Sequence, residues 1–488
     1  MKPYQLLPLR FHDFKNENML LVNEAGEFLF SSKEEFNNMI LYRLDTKSEI
    51  FLDLKSKHFL TDTEIEPVIK MLATKYRTKK SFLYDFTSLH MVVPTLRCNS
   101  KCKYCQVSSK SEDAVKYDMD KSTAKRTVDL IFMSPSSSIK IEFQGGEPLL
   151  NFEIVKYIID YAEQCNLTEK KKLEFVVCTN LTLITEEILK YLQNHKAYIS
   201  TSLDGAMALH NNNRPFRNGQ GSYEVVTKNI KRVHEYLGEG SVSALMTATK
   251  ASLEQFTDII DEYLAQGFNA IFIRSLNPYG TAKEDLDSLG YRIEDFIKSY
   301  KKALKHIINI NLNGTFFVEC YASILLGKIL TPFTTGFVDL QSPSGVAISG
   351  VIYNHDGYVY VSDEARMLAN AGDATFSMGS VHENTYQELF HSDKIVSLLK
   401  KSCLECLPIC SHCAFQSYCG VDPIRNYAEQ GEIVGNRMTS AVCKINIAIF
   451  QYLFELIKEN DKPTMDVLWS WITHKPIVKE KQISHESN

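Results

Sequence analysis

The sequence has no long apolar run, no excess of basic charge and no signal-type core near its amino terminus. None of its apolar stretches approaches the roughly 20 residues needed to span a bilayer. Its 54 lysines and arginines face 59 aspartates and glutamates, a net charge of −5, which gives no reason to expect nucleic acid or an anionic membrane as a partner. The segment from Met1 to Asp13 lacks the apolar core of a secretory signal. These absences predict a cytoplasmic protein that binds neither nucleic acid nor membrane.

Cysteine, by contrast, is plentiful. Twelve cysteines are many for a reducing cytosol if they were meant for disulfides, and most of them cluster in two short stretches, which indicates metal binding. Cys165, Cys178 and Cys320 stand alone, and we predict that they are small buried apolar side chains. At 488 residues the chain exceeds what one core usually supports, so we expect two or three domains.

The first cysteine stretch has the spacing C-x3-C-x2-C and consists of Cys98, Cys102 and Cys105. It follows an apolar run, His90 to Leu96, that we predict to be a buried strand. Three clustered thiolates suit a soft metal centre. A four-iron cluster with only three protein ligands has one open iron. A zinc site and a disulfide pair with a spare thiol are the alternatives, although no fourth zinc ligand stands nearby at finger or ribbon spacing.

This spacing, with Tyr104 just before the last cysteine, resembles the signature of radical S-adenosylmethionine (SAM) enzymes. The resemblance implies a [4Fe–4S] cluster whose open iron binds SAM. It also implies a 5′-deoxyadenosyl radical that takes a hydrogen atom from a substrate.

Three later segments resemble SAM-contacting motifs of the same family. Gln144 to Pro148 is similar to the GGEP motif, and Thr179-Asn180 is similar to a TN(G) segment in which Leu181 replaces the usual glycine. Ser202 to Gly205 is similar to an S-x-D-G segment. Turns and helix caps are the alternative roles for these residue types. The resemblance implies SAM contacts from Tyr104, Gly145, Gly146, Glu147, Pro148, Asn180, Ser202 and Asp204. Arg214 belongs to a pattern seen in peptide-modifying members of the family. A bidentate pair with a carboxylate and a surface salt bridge are the two alternatives for Arg214 in this chain.

Strand-like and helix-like segments alternate from about residue 86 to residue 310. This order indicates parallel strands with right-handed crossovers, and six units would form a partial barrel that is open on one side. Barrel enzymes place their chemistry at the carboxyl ends of strands, where the first cysteine motif stands. The predicted strands are His90–Leu96, Ile139–Phe143, Leu173–Cys178, Tyr198–Leu203, Ser243–Thr247 and Ala270–Ile273. The predicted helices are Thr123–Met133, Phe152–Ala162, Glu186–Leu192, Tyr223–Tyr236 and Leu253–Leu264.

The second cysteine stretch contains Cys403, Cys406, Cys410, Cys413, Cys419 and Cys443. From Cys410 onward the spacing is C-x2-C-x5-C-x23-C, which resembles the ligand set of one auxiliary cluster in the SPASM extension of peptide-modifying radical SAM enzymes. The resemblance implies one auxiliary [4Fe–4S] cluster, because Ser362 and Pro423 stand where the full pattern has cysteines. Zinc is the alternative, since two CxxC pairs precede Cys419, and the role of Cys403 and Cys406 stays open.

Asp363 directly follows Ser362. In sulfatase-maturing relatives an acidic residue at the corresponding position is the catalytic base in substrate oxidation. The alternative is a structural ion cluster of Asp363 with Glu364 and Arg366.

Residues 1–85 carry no metal-type motif. We predict strands at Met19–Val22 and Phe28–Phe30, a helix opened by a capping box at Ser32 and Glu35, and a second helix from Ile65. A hairpin followed by helices resembles the winged-helix-like elements that bind leader peptides, and a structural or dimerising cap is the alternative. Past Leu456 the chain becomes polar, and we predict that its last dozen residues are disordered.

Together these features give an α/β fold: an N-terminal α+β domain (1–85), a partial (β/α)6 radical SAM barrel (86–310), a SPASM-like iron–sulfur domain (311–455) and a helix end with a polar tail (456–488). Four segments resemble the His-Xaa-Ser system radical SAM maturase of the B type: 7–11, 22–26, 362–367 and 410–422. This resemblance implies a ribosomally made peptide substrate with His-Xaa-Ser repeats, a second radical SAM protein as partner, and a flavodoxin or ferredoxin as electron donor. The alternatives are a sulfatase-type maturase that makes formylglycine, and a non-enzymatic iron–sulfur or zinc protein that binds peptides.

Overall fold

The fold is known from a computed structural model that describes residues 3–14 and 18–477. The disorder predicted for the end of the chain concerns mainly residues 478–488, which lie outside the described residues. In the described part, no helix combines the length and the apolar character needed to cross a membrane.

The N-terminal segment combines a small antiparallel sheet with three helices. Both predicted strands and the capping box are confirmed: Ser32 Oγ accepts from the Glu35 amide, and the Glu35 carboxylate accepts from the Ser32 amide. The elements are β1 (Gln5–Leu6), β2 (Leu9–Phe14), β3 (Asn18–Asn23), β4 (Phe28–Ser32), α1 (Lys33–Ile40), α2 (Glu49–Ser56), β5 (Leu60–Thr61) and α3 (Ile65–Lys79). The three-stranded sheet has the order β2-β3-β4, and β1 pairs with β5.

Six parallel strands follow, each near its predicted bounds, and they pair in chain order. The predicted helices between them are confirmed as well. The elements are β6 (Leu89–Thr95), α4 (Lys121–Phe132), β7 (Ser138–Gly145), α5 (Phe152–Glu169), β8 (Lys172–Cys178), α6 (Glu186–Asn194), β9 (Tyr198–Ser202), α7 (Met207–Asn213), α8 (Tyr223–Leu237), β10 (Val242–Thr247), α9 (Phe256–Ala265) and β11 (Ala270–Arg274).

The remaining elements extend this sheet at both ends. The elements are α10 (Thr281–Glu284), α11 (Leu286–Leu289), α12 (Ile293–Leu312), β12 (Val318–Glu319), α13 (Cys320–Leu330), β13 (Gly350–Tyr353), β14 (Tyr358–Tyr360), α14 (Asp363–Asn370), β15 (Ser377–Ser380), α15 (Tyr386–Phe390), α16 (Asp393–Lys400), α17 (Pro423–Gln430), α18 (Ala441–Glu459) and α19 (Lys462–Thr473). The sheet has ten strands in the order β12-β11-β10-β9-β8-β7-β6-β13-β14-β15. Strand β6 pairs with β13 and β11 pairs with β12, so β6 and β11 do not pair with each other and the barrel is open, as predicted. The sheet thus continues past residue 310.

Side-chain alternation gives the barrel strands an apolar outer face and a polar inner face. On β7, Ile139, Ile141 and Phe143 are fully buried in the main core beneath the helices. Glu142 and Gln144, between and after them, line the cavity inside the barrel. The strands therefore supply both the core and the polar wall of the site.

The polar pattern past Leu456 did not indicate the last helix. Helix α19 ends at Thr473, and its Trp471 is fully buried. Its apolar residues pack against α12 and α13, a long-range contact that local composition does not show.

Candidate active site

The three cysteines of the first motif lie in the loop after β6 and line one cavity of about 640 Å³. Backbone hydrogen bonds hold this loop: the Cys98 amide donates to the Lys110 carbonyl, and the Lys103 amide donates to the Asn213 carbonyl. Arg217 Nε donates to the Cys98 carbonyl at 2.6 Å. The motif is thus fixed against α7 and the segment that follows it.

Burial dominates the electrostatics of these thiols. It raises the pKa of Cys98, and it raises the pKa of Cys102 to about 11 although the nearby Arg214 opposes the shift. Buried thiols become thiolates when a bound metal centre supplies positive charge. Three thiols on one cavity wall match the donor set of a cluster with one open iron.

No group of three or more His, Cys, Asp or Glu side chains in residues 3–14 and 18–477 is arranged to hold a single metal ion. A four-iron cube is wider than one ion, so its ligands stand further apart than those of a single ion.

Gly145 and Gly146 bring the backbone of β7 against the cysteine loop. Gly145 has φ +120°, and a Cβ there would lie 2.4 Å from the Thr95 carbonyl oxygen. A Cβ on Gly146 would lie 2.1 Å from the Arg97 carbonyl oxygen. No side chain fits at either position, and both glycines present bare backbone to the cavity.

Glu147 is fully buried and acts as a connection between strand ends. Its carboxylate accepts from Thr179 Oγ1 at 2.6 Å and from the Asn180 amide at 2.7 Å. Burial raises the pKa of Glu147, and these hydrogen bonds oppose that shift. Pro148 is buried beside it. Glu147 therefore fixes the turn after β8, while the glycine backbone forms the cavity wall.

The turn after β8 is also attached to the cysteine loop, by hydrogen bonds. Asn180 Nδ2 donates to Asn99 Oδ1 at 2.8 Å and to Ser100 Oγ at 3.1 Å. Leu181, at the position where the family motif has glycine, has φ +63° and is fully buried. The chain thus keeps the left-handed conformation that the motif's glycine favours, at the cost of strain in a leucine.

Tyr104, Asp204 and Arg214 form a buried chain of hydrogen bonds. The Tyr104 hydroxyl donates to the Asp204 carboxylate, and Arg214 Nη1 donates to the Tyr104 oxygen at 2.7 Å. Tyr104 and Arg214 line the cavity, as does Ser202. Burial raises the pKa of Asp204, which the Arg214 charge opposes. Arg214 is therefore a cation at the cavity wall, and its predicted alternative role in a surface salt bridge is wrong.

Asp363 begins α14, after β14 of the same sheet, and lines the cavity. Its Oδ1 accepts from Arg366 Nε at 2.8 Å and from Nη2 at 2.6 Å, and Arg366 is fully buried. Three more carboxylates line the same part of the cavity, on Asp339, Glu364 and Asp422. Burial raises the pKa of Glu364, and these neighbouring carboxylates raise it further. Arg274 and Arg425 also line this part, and Arg274 Nη2 lies 3.9 Å from a Glu364 carboxylate oxygen, so this end of the cavity carries charges of both signs.

The four predicted auxiliary ligands converge at a second place. Burial raises the pKa of Cys410 to about 11 and that of Cys419 to about 12, and Cys410, Cys413 and Cys443 each contribute to the shift at Cys419. Asn446 Nδ2 lies 3.7 Å from Cys419 Sγ. The Arg437 charge opposes the rise in the pKa of Cys410 and of Cys443. Four partly buried thiols with nearby cationic and amide donors fit a closed iron–sulfur cluster.

Cys403 and Cys406 stand outside this group. Cys403 Sγ donates to the Leu399 carbonyl, and Cys406 is exposed. Glu405 between them binds Lys80 of the N-terminal segment at 2.6 Å. This arrangement favours Cys410, Cys413, Cys419 and Cys443 as one set.

Sequence reasoning missed Cys178. It lines the cavity, and its Sγ lies 3.4 Å from Glu142 Oε1. The prediction of an apolar packing role was wrong, because Cys178 follows Val177 on the strand and faces the opposite side. The alternation of β8, in which Phe175 and Val177 are buried in the core, is the signal that indicates this orientation.

Comparison with known proteins agrees with this geometry. The radical SAM superfamily model matches residues 92–263. An uncharacterized protein of Methanocaldococcus jannaschii is 30% identical over 226 residues, which cover 45% of this chain and 73% of that protein. A cysteine-type anaerobic sulfatase-maturating enzyme of Clostridium perfringens (strain 13) is 24% identical over 376 residues, or 73% of this chain and 93% of that protein.

Two solved structures share the fold. The structure of anSMEcpe with bound AdoMet has a TM-score of 0.64 at 20% identity and covers 79% of this chain and 98% of that one. SuiB of Streptococcus suis bound to precursor peptide SuiA has a TM-score of 0.51 at 13% identity and covers 90% of this chain and all of that one.

Proposed function

We propose that this chain, which belongs to the radical SAM superfamily, modifies a ribosomally made peptide by removing a hydrogen atom from it. The observation that carries the proposal is one shared cavity of about 640 Å³. The cysteine motif lies on one of its walls, and the acidic residues around Asp363 lie on another. This volume is in the range of known ligand sites.

The residues of the first wall would hold the cofactors. With a [4Fe–4S] cluster on Cys98, Cys102 and Cys105, SAM supplies a 5′-deoxyadenosyl radical. The bare backbone at Gly145 and Gly146 allows the methionine part of SAM to approach closely. Arg214 and Ser202 offer hydrogen-bond donors at the same wall. Glu147 fixes the turn after β8, and Asp204 fixes the cysteine loop through Tyr104.

One auxiliary [4Fe–4S] cluster would occupy Cys410, Cys413, Cys419 and Cys443. All four ligand positions would then come from the protein, so this cluster has no open iron for SAM. Its role would be to accept an electron from the substrate or to help hold the peptide.

The peptide substrate is supported by the relatives. One is a sulfatase-maturating enzyme, and SuiB binds a precursor peptide. Within this class we propose a peptide with His-Xaa-Ser repeats, on the resemblance of segments 7–11, 22–26, 362–367 and 410–422. A second radical SAM protein would act as partner, a flavodoxin or ferredoxin would supply electrons, and the N-terminal domain would bind the leader part of the peptide. Iron–sulfur chemistry of this kind suits the reducing cytoplasm.

Anaerobic assay tests the proposal. Reconstituted protein with SAM, reductant and a synthetic His-Xaa-Ser peptide should yield 5′-deoxyadenosine and a changed peptide, which mass spectrometry and chiral amino-acid analysis together detect. A protein that holds its iron but yields no 5′-deoxyadenosine would overturn the proposal.

A second candidate is oxidation of a Ser or Cys to formylglycine, favoured by the position of Asp363 in the cavity and by the sulfatase-maturating relatives. Asp363 would take the proton of the substrate hydroxyl or thiol. A sulfatase-type peptide converted to the aldehyde, with His-Xaa-Ser peptides left unchanged, would favour this candidate.

A further inference from the structure

The inner face of the barrel brings a thiol and a carboxylate together. Cys178 at the end of β8 and Glu142 on β7 both line the cavity, with 3.4 Å between Sγ and Oε1. The side chain of Gln144 donates a hydrogen bond to the same Oε1. A cysteine in this position contacts polar groups, whereas a packing cysteine contacts apolar ones.

The same wall has further polar side chains. Ser200, which pairs with Cys178 across the two strands, lines the cavity, and so does Ser202. Side chains alternate along a strand, so Ser200 and Ser202 of β9 lie on the same face as Cys178 of β8. This wall therefore offers hydroxyl groups beside the thiol to a bound ligand.

The chemical state of the thiol limits what it can do. Burial raises the pKa of Cys178 well above its ordinary value, and the Glu142 carboxylate raises it further. The thiolate is the nucleophile and the metal ligand, so a thiol that stays protonated serves neither role at neutral pH. Its S–H bond is close in strength to a peptide Cα–H bond, so a hydrogen atom passes between the two with little change in free energy.

The two other isolated cysteines lie away from the cavity. Cys165 lies on α5 and packs against the outside of the barrel. Cys320 begins α13. Neither lines the cavity.

We propose that Cys178 is a hydrogen-atom donor that quenches the peptide radical formed in this cavity, so that the chain can invert the configuration of a peptide carbon. This inference rests on the proposed function, since it needs a peptide radical. It adds a catalytic residue and a reaction class, a redox-neutral change of configuration, to that function.

The atoms and electrons balance. The radical carbon takes the hydrogen atom of the S–H bond, which forms a C–H bond and leaves a thiyl radical on Sγ. The thiyl radical then takes one electron from a low-potential iron–sulfur or flavin protein and one proton from solvent, which restores the S–H bond that donates to Glu142. Each turnover consumes one SAM, two electrons and one proton, releases methionine and 5′-deoxyadenosine, and leaves the mass of the peptide unchanged.

Deuterium oxide provides the test. In this solvent Cys178 carries S–D, so the wild-type chain should make a synthetic His-Xaa-Ser peptide one mass unit heavier at each modified residue. Chiral analysis after hydrolysis should find that residue in the D form.

The variant Cys178→Ser keeps a hydroxyl donor toward Glu142, but an O–H bond is too strong to give up its hydrogen atom. It should still form 5′-deoxyadenosine and lose both the deuterium and the inversion, whereas Cys165→Ser should behave as wild type.

The outcomes separate the two proposals. No 5′-deoxyadenosine from wild-type protein would overturn the proposed function and this inference together. A modified peptide without solvent deuterium, or unchanged deuterium uptake in Cys178→Ser, would overturn this inference alone.

A second measurement needs neither turnover nor peptide. The infrared difference spectrum between wild type and Cys178→Ser should contain an S–H stretching band at neutral pH, and Glu142→Gln should shift that band. Absence of the band would show that Cys178 is no thiol in the folded protein and would overturn the proposal, even if a variant lost activity through misfolding.

Discussion

The hydroxyl of Tyr104 donates to the carboxylate of Asp204, with 2.8 Å to Oδ1 and 2.6 Å to Oδ2, although 100 positions separate the two residues. Tyr104 belongs to the cysteine loop and Asp204 to the segment after β9, so this contact joins two edges of the site. Arg214 completes it from α7's carboxyl end. A buried carboxylate needs such partners, because an unpaired one loses its hydration without compensation.

The first prediction concerns this contact. Tyr104→Phe removes the Tyr104 donor from the buried Asp204 carboxylate, so we expect a loss of about 1–3 kcal/mol in stability and weaker SAM binding. Differential scanning calorimetry and isothermal titration with SAM on the anaerobic protein measure both. Tyr279→Phe is the matched control, since the Tyr279 hydroxyl is also buried but has no hydrogen-bond partner in the described part of the chain. Equal effects of the two changes would contradict the role given to Tyr104.

The second prediction concerns the close approach at Gly146. A Cβ there would lie 2.1 Å from the Arg97 carbonyl oxygen, so Gly146→Ala should push β7 away from the cysteine loop. We expect SAM affinity to fall at least about tenfold, or roughly 1.4 kcal/mol. Gly350→Ala is the control, because its Cβ would meet Leu89 at an ordinary 3.5 Å. Unchanged SAM affinity in Gly146→Ala would show that the strand end is free to adjust.

The third prediction concerns metal content. Two four-iron clusters correspond to about eight irons per chain. Replacing Cys413 and Cys419 by alanine should leave about four irons and retain SAM cleavage, because the first cluster keeps its three ligands. Cys406→Ala should keep all of the iron, since Cys406 is exposed and outside the four-thiol group. Zinc at the second site, or iron lost from Cys406→Ala, would disagree with the ligand set.

The fourth prediction concerns acid stability. Burial lowers the pKa of His90 to about 3, so the folded state keeps this histidine neutral while the unfolded chain takes up a proton near its ordinary pKa. The unfolded state therefore binds more protons below about pH 6.5, and stability should fall as the pH drops, by up to about 1.4 kcal/mol per pH unit. Denaturant midpoints measured from about pH 7.5 down to about pH 5.5 should decline less steeply in His90→Gln. A slope identical to wild type would show that His90 does not control this dependence.

The fifth prediction concerns Asp363. Its carboxylate neutralises the fully buried Arg366, so Asp363→Asn should destabilise the protein by up to about 3–5 kcal/mol, as when one partner of a buried ion pair is lost. If Asp363 also serves as base, the variant should form 5′-deoxyadenosine without the oxidised peptide. Comparison with Arg366→Met separates the roles, since that change breaks the pair and keeps the carboxylate. If Asp363→Asn forms the full amount of oxidised peptide, Asp363 has only a structural role.

The sequence by itself determined the order of the elements and indicated the candidate metal ligands. The alternation of β7 and β8 and the capping box of α1 depend on neighbours within a few residues, so their patterns are visible along the chain. The spacing of Cys98, Cys102 and Cys105 is likewise local, because one loop must bring its thiols to one cluster.

Only the tertiary structure decided which groups meet across the barrel. Tyr104 with Asp204, Glu147 with Asn180, and Cys178 with Glu142 come from different strand ends. The burial of helix α19 likewise depends on distant partners. These contacts arise when parallel strands align their carboxyl ends, and neither hydropathy nor spacing along the chain encodes which side chains then lie within hydrogen-bonding distance.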